Sequence, residues 1–270
     1  MAERGAAGSA LAVAEGAARE AGALLLERFG HIDRGRVKTK SSARDLVTAA
    51  DVESERTIVA RLRAAFPDHA IEAEEEVRDA RDEGAPDRPR WFVDPLDGTV
   101  NFVHGIPAFA VSIALYEGGA PEAAVVHLPR LGETFTAERG RGAFQDGEPI
   151  RVSSAASLGE AILATGFPYR RNELVPNNLE NFARFFLDVR GMRRMGSAAM
   201  DLAFVAAGRL DGFWELYLAP HDVAAGALLV REAGGRVQDA DGGEDWLRGG
   251  HIVAANPALF EAIRERVRHR

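Results

Sequence analysis

Trp91-Phe92-Val93-Asp94-Pro95-Leu96-Asp97-Gly98-Thr99-Val100-Asn101-Phe102 is the stretch on which fold and chemistry both turn. The run Arg90 to Asp94 has the apolar, aromatic and β-branched composition of a buried strand, and it stops abruptly at Asp94. Pro95 fixes its own φ and biases Asp94 toward an extended conformation, so the loop that follows is stiff. Gly98 lets a ligand approach the backbone closely. Two carboxylates three residues apart on a rigid loop suit a hard cation. Thr99 falls at or near a helix start, where free N–H groups and the helix dipole favour an anion such as phosphate. Asp, Pro and Gly are also the common turn residues, so this segment alone fits a purely structural turn equally well.

Three further segments are informative. Ala219-Pro220-His221-Asp222-Val223-Ala224-Ala225-Gly226 runs on to Arg231 and stops at Gly234-Gly235. It reads as a helix with Asp222 in its first turn, where an acid also complements the dipole. Ile71-Glu72-Ala73-Glu74-Glu75-Glu76 places three consecutive acids after a short apolar stretch, a pattern that in isolation fits a solvated face. Lys40-Ser41-Ser42 precedes Asp45 to Asp51, within which Thr48 and Asp51 are spaced as a helix capping pair. Lys38 and Lys40 are the only lysines in a chain that otherwise uses arginine, which points to a compact ammonium in this segment.

At 270 residues, with 46% hydrophobic and 27% charged side chains, the chain is long enough to bury a substantial core. Periodicity predicts helices over about 9–29, 51–65, 197–207 and 222–233, with a last one after Asn256-Pro257. Strand-like runs are Arg90 to Asp94, Phe109 to Tyr116, Ala123 to His127, Glu133 to Ala137, Ala161 to Thr165, Gly212 to Leu216 and His251 to Ala255. Gly140 to Gly147 reads as turns between short strands, and Ala80 to Pro89 as a charged loop. Helices and strands interleave throughout, which predicts a layered α/β or α+β fold.

No apolar run approaches the roughly 20 residues that cross a bilayer. The Ala-rich start is interrupted by Glu15, Arg19 and Glu20 and reads as an amphipathic helix, not a signal peptide. The absence of cysteine excludes disulfides, thiolate zinc sites and cysteine nucleophiles, so any metal is held by oxygen or imidazole and the expected compartment is the cytoplasm. A formal net charge of -8 argues against broad attraction to nucleic acid or anionic membrane. Arg193, Arg194 and the basic tail Arg264 to Arg270 remain as local candidates for contacts with RNA or a protein partner.

Together these segments resemble the inositol monophosphatase family, within the lithium-sensitive metal-dependent phosphatases. Asp94 to Phe102 is similar to the family's first signature, and His221 to Gly226 through Glu232-Ala233-Gly234-Gly235 to its second. Phe66-Pro67-Asp68-His69, Asp45 to Asp51, Gly196-Ser197-Ala198-Ala199, and Asp211-Gly212-Phe213 with Glu215 extend the similarity over nearly the whole chain. The resemblance implies one α-β-α-β-α sandwich of the inositol monophosphatase and fructose-1,6-bisphosphatase type spanning 1–270. A larger antiparallel-rich sheet is expected in about 1–150 and a smaller one in about 151–270, usually in a homodimer.

Position by position, the resemblance implies that Glu74, Asp94 and the carbonyl of Leu96 surround one Mg²⁺. Asp94, Asp97 and Asp222 surround a second, and Glu74 touches a weaker third, with Mn²⁺ as a substitute. Thr99, supported by Asp51, positions the attacking water together with Glu74. Gly98 and Thr99 contact phosphate; Gly196, Ser197, Ala198 and Glu215 surround the alcohol portion; Asp222 also contacts the substrate; and Lys40 lies near the site. The family's second signature carries tryptophan before its aspartate where this chain has His221, which we read as a packing substitution. The expected activity is Mg²⁺-dependent hydrolysis of a small phosphomonoester, foremost myo-inositol 1-phosphate. The alternatives are histidinol phosphate, fructose 1,6-bisphosphate, a nucleotide 3′(2′),5′-bisphosphate, or a regulatory binding module on the same scaffold.

Overall fold

Alternation along the strands decides which layer each side chain joins. The computed structural model describes residues 9–32, 35, 37–40, 46–79 and 88–269. Ser41, Ser42, Asp45, Arg270 and nearly all of the Ala80 to Pro89 loop lie outside the described residues. In chain order the elements are α1 (Ala10–Arg28), β1 (Lys38–Thr39), β2 (Leu46–Val47), α2 (Ala49–Ala65), β3 (Ala70–Ala73), β4 (Arg90–Asp97), α3 (Thr99–Val103), β5 (Ala110–Glu117), β6 (Ala120–Leu128), β7 (Glu133–Glu138), β8 (Gly142–Gln145) and β9 (Glu148–Ile150). They continue with β10 (Ile162–Thr165), α4 (Leu179–Phe186), β11 (Gly191–Arg193), α5 (Ala198–Ala206), β12 (Gly212–Leu216), α6 (Pro220–Glu232), β13 (Arg236–Gln238), α7 (Trp246–Gly249), β14 (His251–Ala255) and α8 (Phe260–Arg264).

Strands β3 to β9 form a seven-stranded sheet in sequence order, parallel only between β3 and β4. The five-stranded sheet has the order β11-β10-β12-β14-β13, and β1 pairs with β2 alone. On the larger sheet, Trp91, Val93, Val111, Ile113 and Val125 bury against α1 and α2. Phe92, Ala110, Ala114, Ala124 and Val126 point the other way, against α5 and α6. Ala164, Phe213, Ile252 and Ala254 of the smaller sheet share that second core. Leu163, Trp214, Val253 and Ala255 face outward onto Phe185 of α4 and Phe260 of α8. The layers therefore run α-β-α-β-α, and α5 with α6 form the middle layer that both sheets share.

The first signature departs from the expected strand end. β4 continues through Pro95 to Asp97, and its pairing with β5 slips: Asp94 lies opposite Ser112, whereas Asp97 lies opposite Ala110. Three residues of β4 thus span two of β5, which is a β-bulge. Proline is tolerated there because a bulge leaves a ladder position without a partner. The carbonyl of Pro95 is taken by Ser54 Oγ of α2 at 2.8 Å.

Middle-layer helices α5 and α6 pack closely at Gly226, where a Cβ would lie 2.4 Å from Leu202 Cβ. Alanine favours a helix over glycine by about 1 kcal/mol, but Leu202 Cβ is anchored to backbone and cannot swing aside. Overpacking costs ~1–3 kcal/mol. Gly226→Ala is therefore expected to lower stability in denaturant unfolding, despite its better helix propensity; a gain would contradict this close approach.

Candidate metal centre

In an unbroken strand, residues three apart face opposite sides. The extra residue in β4 reverses that parity, so Leu96 joins Trp91 and Val93 in the core beneath α1 and α2, and Asp97 turns to the same side as Asp94. Asp222, in the first turn of α6, meets them there. Ligand atoms of Asp94, Asp97 and Asp222 lie within 4.8 Å of one another, as do those of Glu74, Asp94 and His221. Either group has the size to share a metal ion, and Asp94 belongs to both.

Each carboxylate is anchored through contacts to the surrounding scaffold. Asp97 Oδ2 accepts from Ser197 Oγ and from Ala199 N, both at 2.7 Å, which ties β4 to the start of α5. Asp222 Oδ2 accepts from Ala219 N at 2.6 Å, capping α6. Asp94 Oδ1 accepts from Leu96 N at 3.0 Å. Asp51 divides in the same way: Oδ2 accepts from Thr48 N and Thr48 Oγ1, closing the expected capping box of α2, and Oδ1 accepts from Thr99 Oγ1 at 2.8 Å. Thr99 is the first residue of α3, and its Oγ1 also lies 3.1 Å from Leu96 O.

The loop carrying Glu74 is held by a residue that the motifs did not single out. Glu55, fully buried on α2, accepts from the backbone N–H groups of Glu75, Glu76 and Val77 at 2.6, 2.8 and 2.8 Å. Of the acidic triplet, Glu76 pairs outward with Arg56. Glu74 and Glu75 share Lys40 Nζ, at 2.8 and 2.5 Å.

Crowding leaves this cluster short of positive charge. Burial, then Glu74, Asp97 and Asp222, raise Asp94 well above the usual carboxylate range. Burial followed by Asp222 pushes Asp97 up to about 7. Burial, opposed by the hydrogen bonds from Thr48 and Thr99, brings Asp51 to about 6. Burial and Glu74 bring Glu75 to about 7. Burial works against the charge on Lys40, but Glu74 and Glu75 outweigh it and hold the ammonium above its ordinary range. Like charges at these distances are costly to ionise together, and a divalent cation removes the cost.

A cavity of about 620 Å³ opens over the carboxylates. Its lining includes every site residue named from the sequence except Asp51, which lies beneath Thr99. Gly98, with φ +101°, brings its backbone so near Ala108 that a Cβ would lie 2.9 Å from that carbonyl. At the cavity's far side Glu215 is joined by Arg194 and Asp201. Burial raises Glu215 to about 8 against the attraction of Arg194. Asp201 is buried, with Oδ1 lacking a hydrogen-bond partner among the described residues. No residue pattern marked Glu55, which stands between Ser54 and Arg56; Asp201 was signalled only by being a lone acid among apolar residues on its helix.

His221, read as a packing substitution, also lines the cavity. Its side chain keeps 13% exposure and faces the cavity beside Glu74, Asp94 and Asp222. Of the basic residues considered for RNA or protein contact, Arg193 is exposed, Arg194 lines the cavity, Arg264 pairs with Glu261 at 2.9 Å, and Arg266 with Asp188 at 2.6 Å. Among the described residues no helix is long and apolar enough to cross a membrane.

A layered fold with a carboxylate cluster at its strand ends defines a metal-site scaffold, and comparison with known proteins gives the class. The profile of the inositol monophosphatase family matches residues 8–270, so the chain belongs to that family of phosphatases. It is 49% identical to the Nus factor SuhB of Pseudomonas aeruginosa, over 94% of this chain and 93% of that one. It is 44% identical to an inositol-1-monophosphatase of Mesorhizobium japonicum, over 93% of each. The solved structure of the extragenic suppressor protein suhB of Bartonella henselae superposes with a TM-score of 0.87 at 42% identity, covering 94% of this chain and 96% of that one.

The raised carboxyls make metal-free stability depend on pH. Asp97 titrates near 3.8 when unfolded and about 7 when folded, and Glu215 near 4.5 and about 8. Between those values the folded form retains protons that the unfolded chain has released, so stability falls as pH rises from about 4 to 8. Glu74 is shifted the opposite way, so its contribution is present above its unfolded value of 4.5 and is lost only as pH falls below it. Divalent cations compete with the retained protons. Melting curves without metal should therefore drop in Tm between pH 5 and pH 8, and Mg²⁺ should raise Tm more at pH 8 than at pH 6. A flat metal-free profile would contradict the charge crowding described above.

Proposed function

We propose that this chain is a Mg²⁺-dependent phosphatase of small phosphomonoesters, with myo-inositol 1-phosphate as its expected substrate. The observation that carries this reading is the pair of ligand groups, Asp94-Asp97-Asp222 and Glu74-Asp94-His221, that share Asp94 at the floor of one cavity. The carboxylate oxygens fit the metal: they are hard donors, they are too crowded to ionise together without added positive charge, and no thiolate is present. Glu74, Asp94, Asp97, Asp222 and the carbonyl of Leu96 are the proposed ligands for two or three ions, with Mn²⁺ able to replace Mg²⁺. When bound, such ions neutralise the site for a phosphate dianion, activate the attacking water and stabilise the departing oxygen.

The protein's own groups do the rest by position. Thr99 Oγ1 donates its hydrogen to Asp51 at 2.8 Å, which leaves a hydroxyl lone pair to accept a hydrogen from water. Glu74 is steadied by Lys40 on one side and, through its loop, by Glu55, so it can hold the same water from a second direction. The αL backbone at Gly98 and the N–H of Thr99 are placed to receive phosphate oxygens. Ser197, Ala198 and Gly196 form the wall where the alcohol sits, and Glu215 with Asp222 accepts its hydroxyls. Phe167, Tyr169 and Tyr217 enclose that end and are the side chains most exposed to a change of alcohol.

The test is phosphate release from myo-inositol 1-phosphate, histidinol phosphate, fructose 1,6-bisphosphate and adenosine 3′,5′-bisphosphate. Inositol phosphate should be turned over fastest with Mg²⁺, EDTA should abolish release, and Li⁺ should inhibit it. Asp97→Asn keeps the size of the side chain and removes ligand charge worth several kcal/mol in the transition state, so kcat should fall at least ~100-fold with the fold retained. Near-normal turnover by that variant would reduce Asp97 to a structural turn residue.

We place the enzyme in the cytoplasm as a homodimer. Val175, Leu179, Phe186 and Leu187 are 92%, 61%, 58% and 88% exposed, an apolar group around α4 of the kind that a second copy covers. Light scattering should return twice the chain mass of 29.1 kDa; a monomer at micromolar concentration would remove this part.

A further inference from the structure

His221 does more than fill space between α6 and the seven-stranded sheet. Its backbone is fixed, because it is the second residue of α6 and its carbonyl accepts from Ser112 Oγ of β5 at 3.3 Å. Its side chain lines two cavities, the main one and a smaller one of about 330 Å³ shared with Glu72, Arg78 and Asp79. A ring nitrogen lies within 4.8 Å of ligand oxygens of both Glu74 and Asp94. Nε2 stands 3.8 Å from Asp222 Oδ1, which is too long for a hydrogen bond. The ring makes no hydrogen bond with the described residues, whereas Asp94, Asp97 and Asp222 are each anchored by backbone N–H donors.

We infer that His221 is an imidazole ligand to a divalent ion held with Glu74 and Asp94, so that one position of the metal centre has a mixed nitrogen and oxygen donor set. This rests on the metal-dependent reading of the site and adds to it. Metal bonds of ~2.1 Å place neighbouring ligand atoms roughly 3 Å apart and opposite ones roughly 4.2 Å apart, so three ligand atoms within 4.8 Å of one another can share an ion after side-chain rotations that draw them inward. Mg²⁺ gains little from imidazole, whereas first-row transition ions bind it well and rise in affinity from Mn²⁺ onward. The consequence is selectivity: this position binds Mn²⁺ in preference to Mg²⁺, and His221 is the residue that sets the preference. The competing role for the ring is that of a cationic partner to the carboxylates, which would make it leave the ligand sphere once a metal supplies the charge.

Pulsed electron paramagnetic resonance on the Mn²⁺-loaded protein separates the two roles, because only a directly bonded imidazole gives a strong ¹⁴N modulation. The wild type should show it and both His221→Phe and His221→Gln should lose it. Mn²⁺ affinity, from the free-Mn²⁺ signal on titration, should fall at least ~10-fold in both variants, with a smaller change for Mg²⁺ measured by competition. His104 also lines the cavity, so a modulation that persists in both variants would overturn the assignment. So would bound Mn²⁺ without nitrogen modulation in the wild type, although the carboxylate centre itself would then stand. Failure of wild type and Asp97→Asn alike to bind Mn²⁺ would instead remove the metal centre. Metal-free melting temperatures of the two variants, compared with wild type, show that any loss of affinity is not a loss of fold.

Discussion

The β-bulge at Pro95-Leu96 is the constraint on which the site depends. Without the extra residue, Asp94 and Asp97 would point to opposite faces of the sheet, one into the site and one into the core beneath α1 and α2. With it, Leu96 takes the core position and both carboxylates end on one side. Proline suits the turn because its fixed φ and missing N–H cost nothing where the ladder is already broken. Ser54 of α2 secures the Pro95 carbonyl, and Ser197 with Ala199 secures Asp97. The bulge is thus held from both flanking helical layers, and a displacement of either would be felt at the ligands.

Charge is the second constraint, and it follows from the first. Bringing four acids to one side of a buried strand end sets desolvation and mutual repulsion against ionisation, which is why Asp94 and Asp97 are raised. Lys40 offsets part of this, bonded to Glu74 and Glu75 rather than to the aspartates. The cluster is therefore an unfavourable arrangement for the metal-free fold, with a cation as the natural remedy. Such strain is usual at sites whose ligand enters after folding.

The strands were legible in the sequence because both of their faces are buried, so they read as continuous apolar runs. Phe109 to Tyr116, between the α1/α2 layer and α5/α6, and His251 to Ala255, between α5/α6 and the outer α4/α8 layer, show it most plainly. Short pieces escaped: β1, β2, β11 and β13 are two or three residues long, below the length at which a period of two can be recognised. Helix α4 escaped because its eight residues, Leu179–Phe186, make little more than two turns, too short a window for a period of 3.6 to stand out. The bulge could not be read, since composition does not reveal register. Both signatures were visible because metal ligation needs particular residue types at particular spacings. Glu55 was not, because its task is to accept three backbone hydrogen bonds, and the partners that define it are 20 to 22 residues away.

The choice between a structural and a catalytic role for each acid dissolves once its two oxygens are considered separately. Asp51 caps α2 through Oδ2 and orients Thr99 through Oδ1. Asp97 gives one oxygen to α5, and Asp222 gives one to the start of α6. A carboxylate so held has lost its rotational freedom before any ion arrives, so binding does not have to supply that ordering free energy again. A cap or turn residue is therefore a good position from which to evolve a ligand: the local hydrogen bond that made the residue useful to the fold also aims its remaining oxygen. His221 differs in this respect, because its backbone is anchored and its ring is not. Its ring therefore depends on an incoming ion for a partner, which suits a ligand that distinguishes one ion from another.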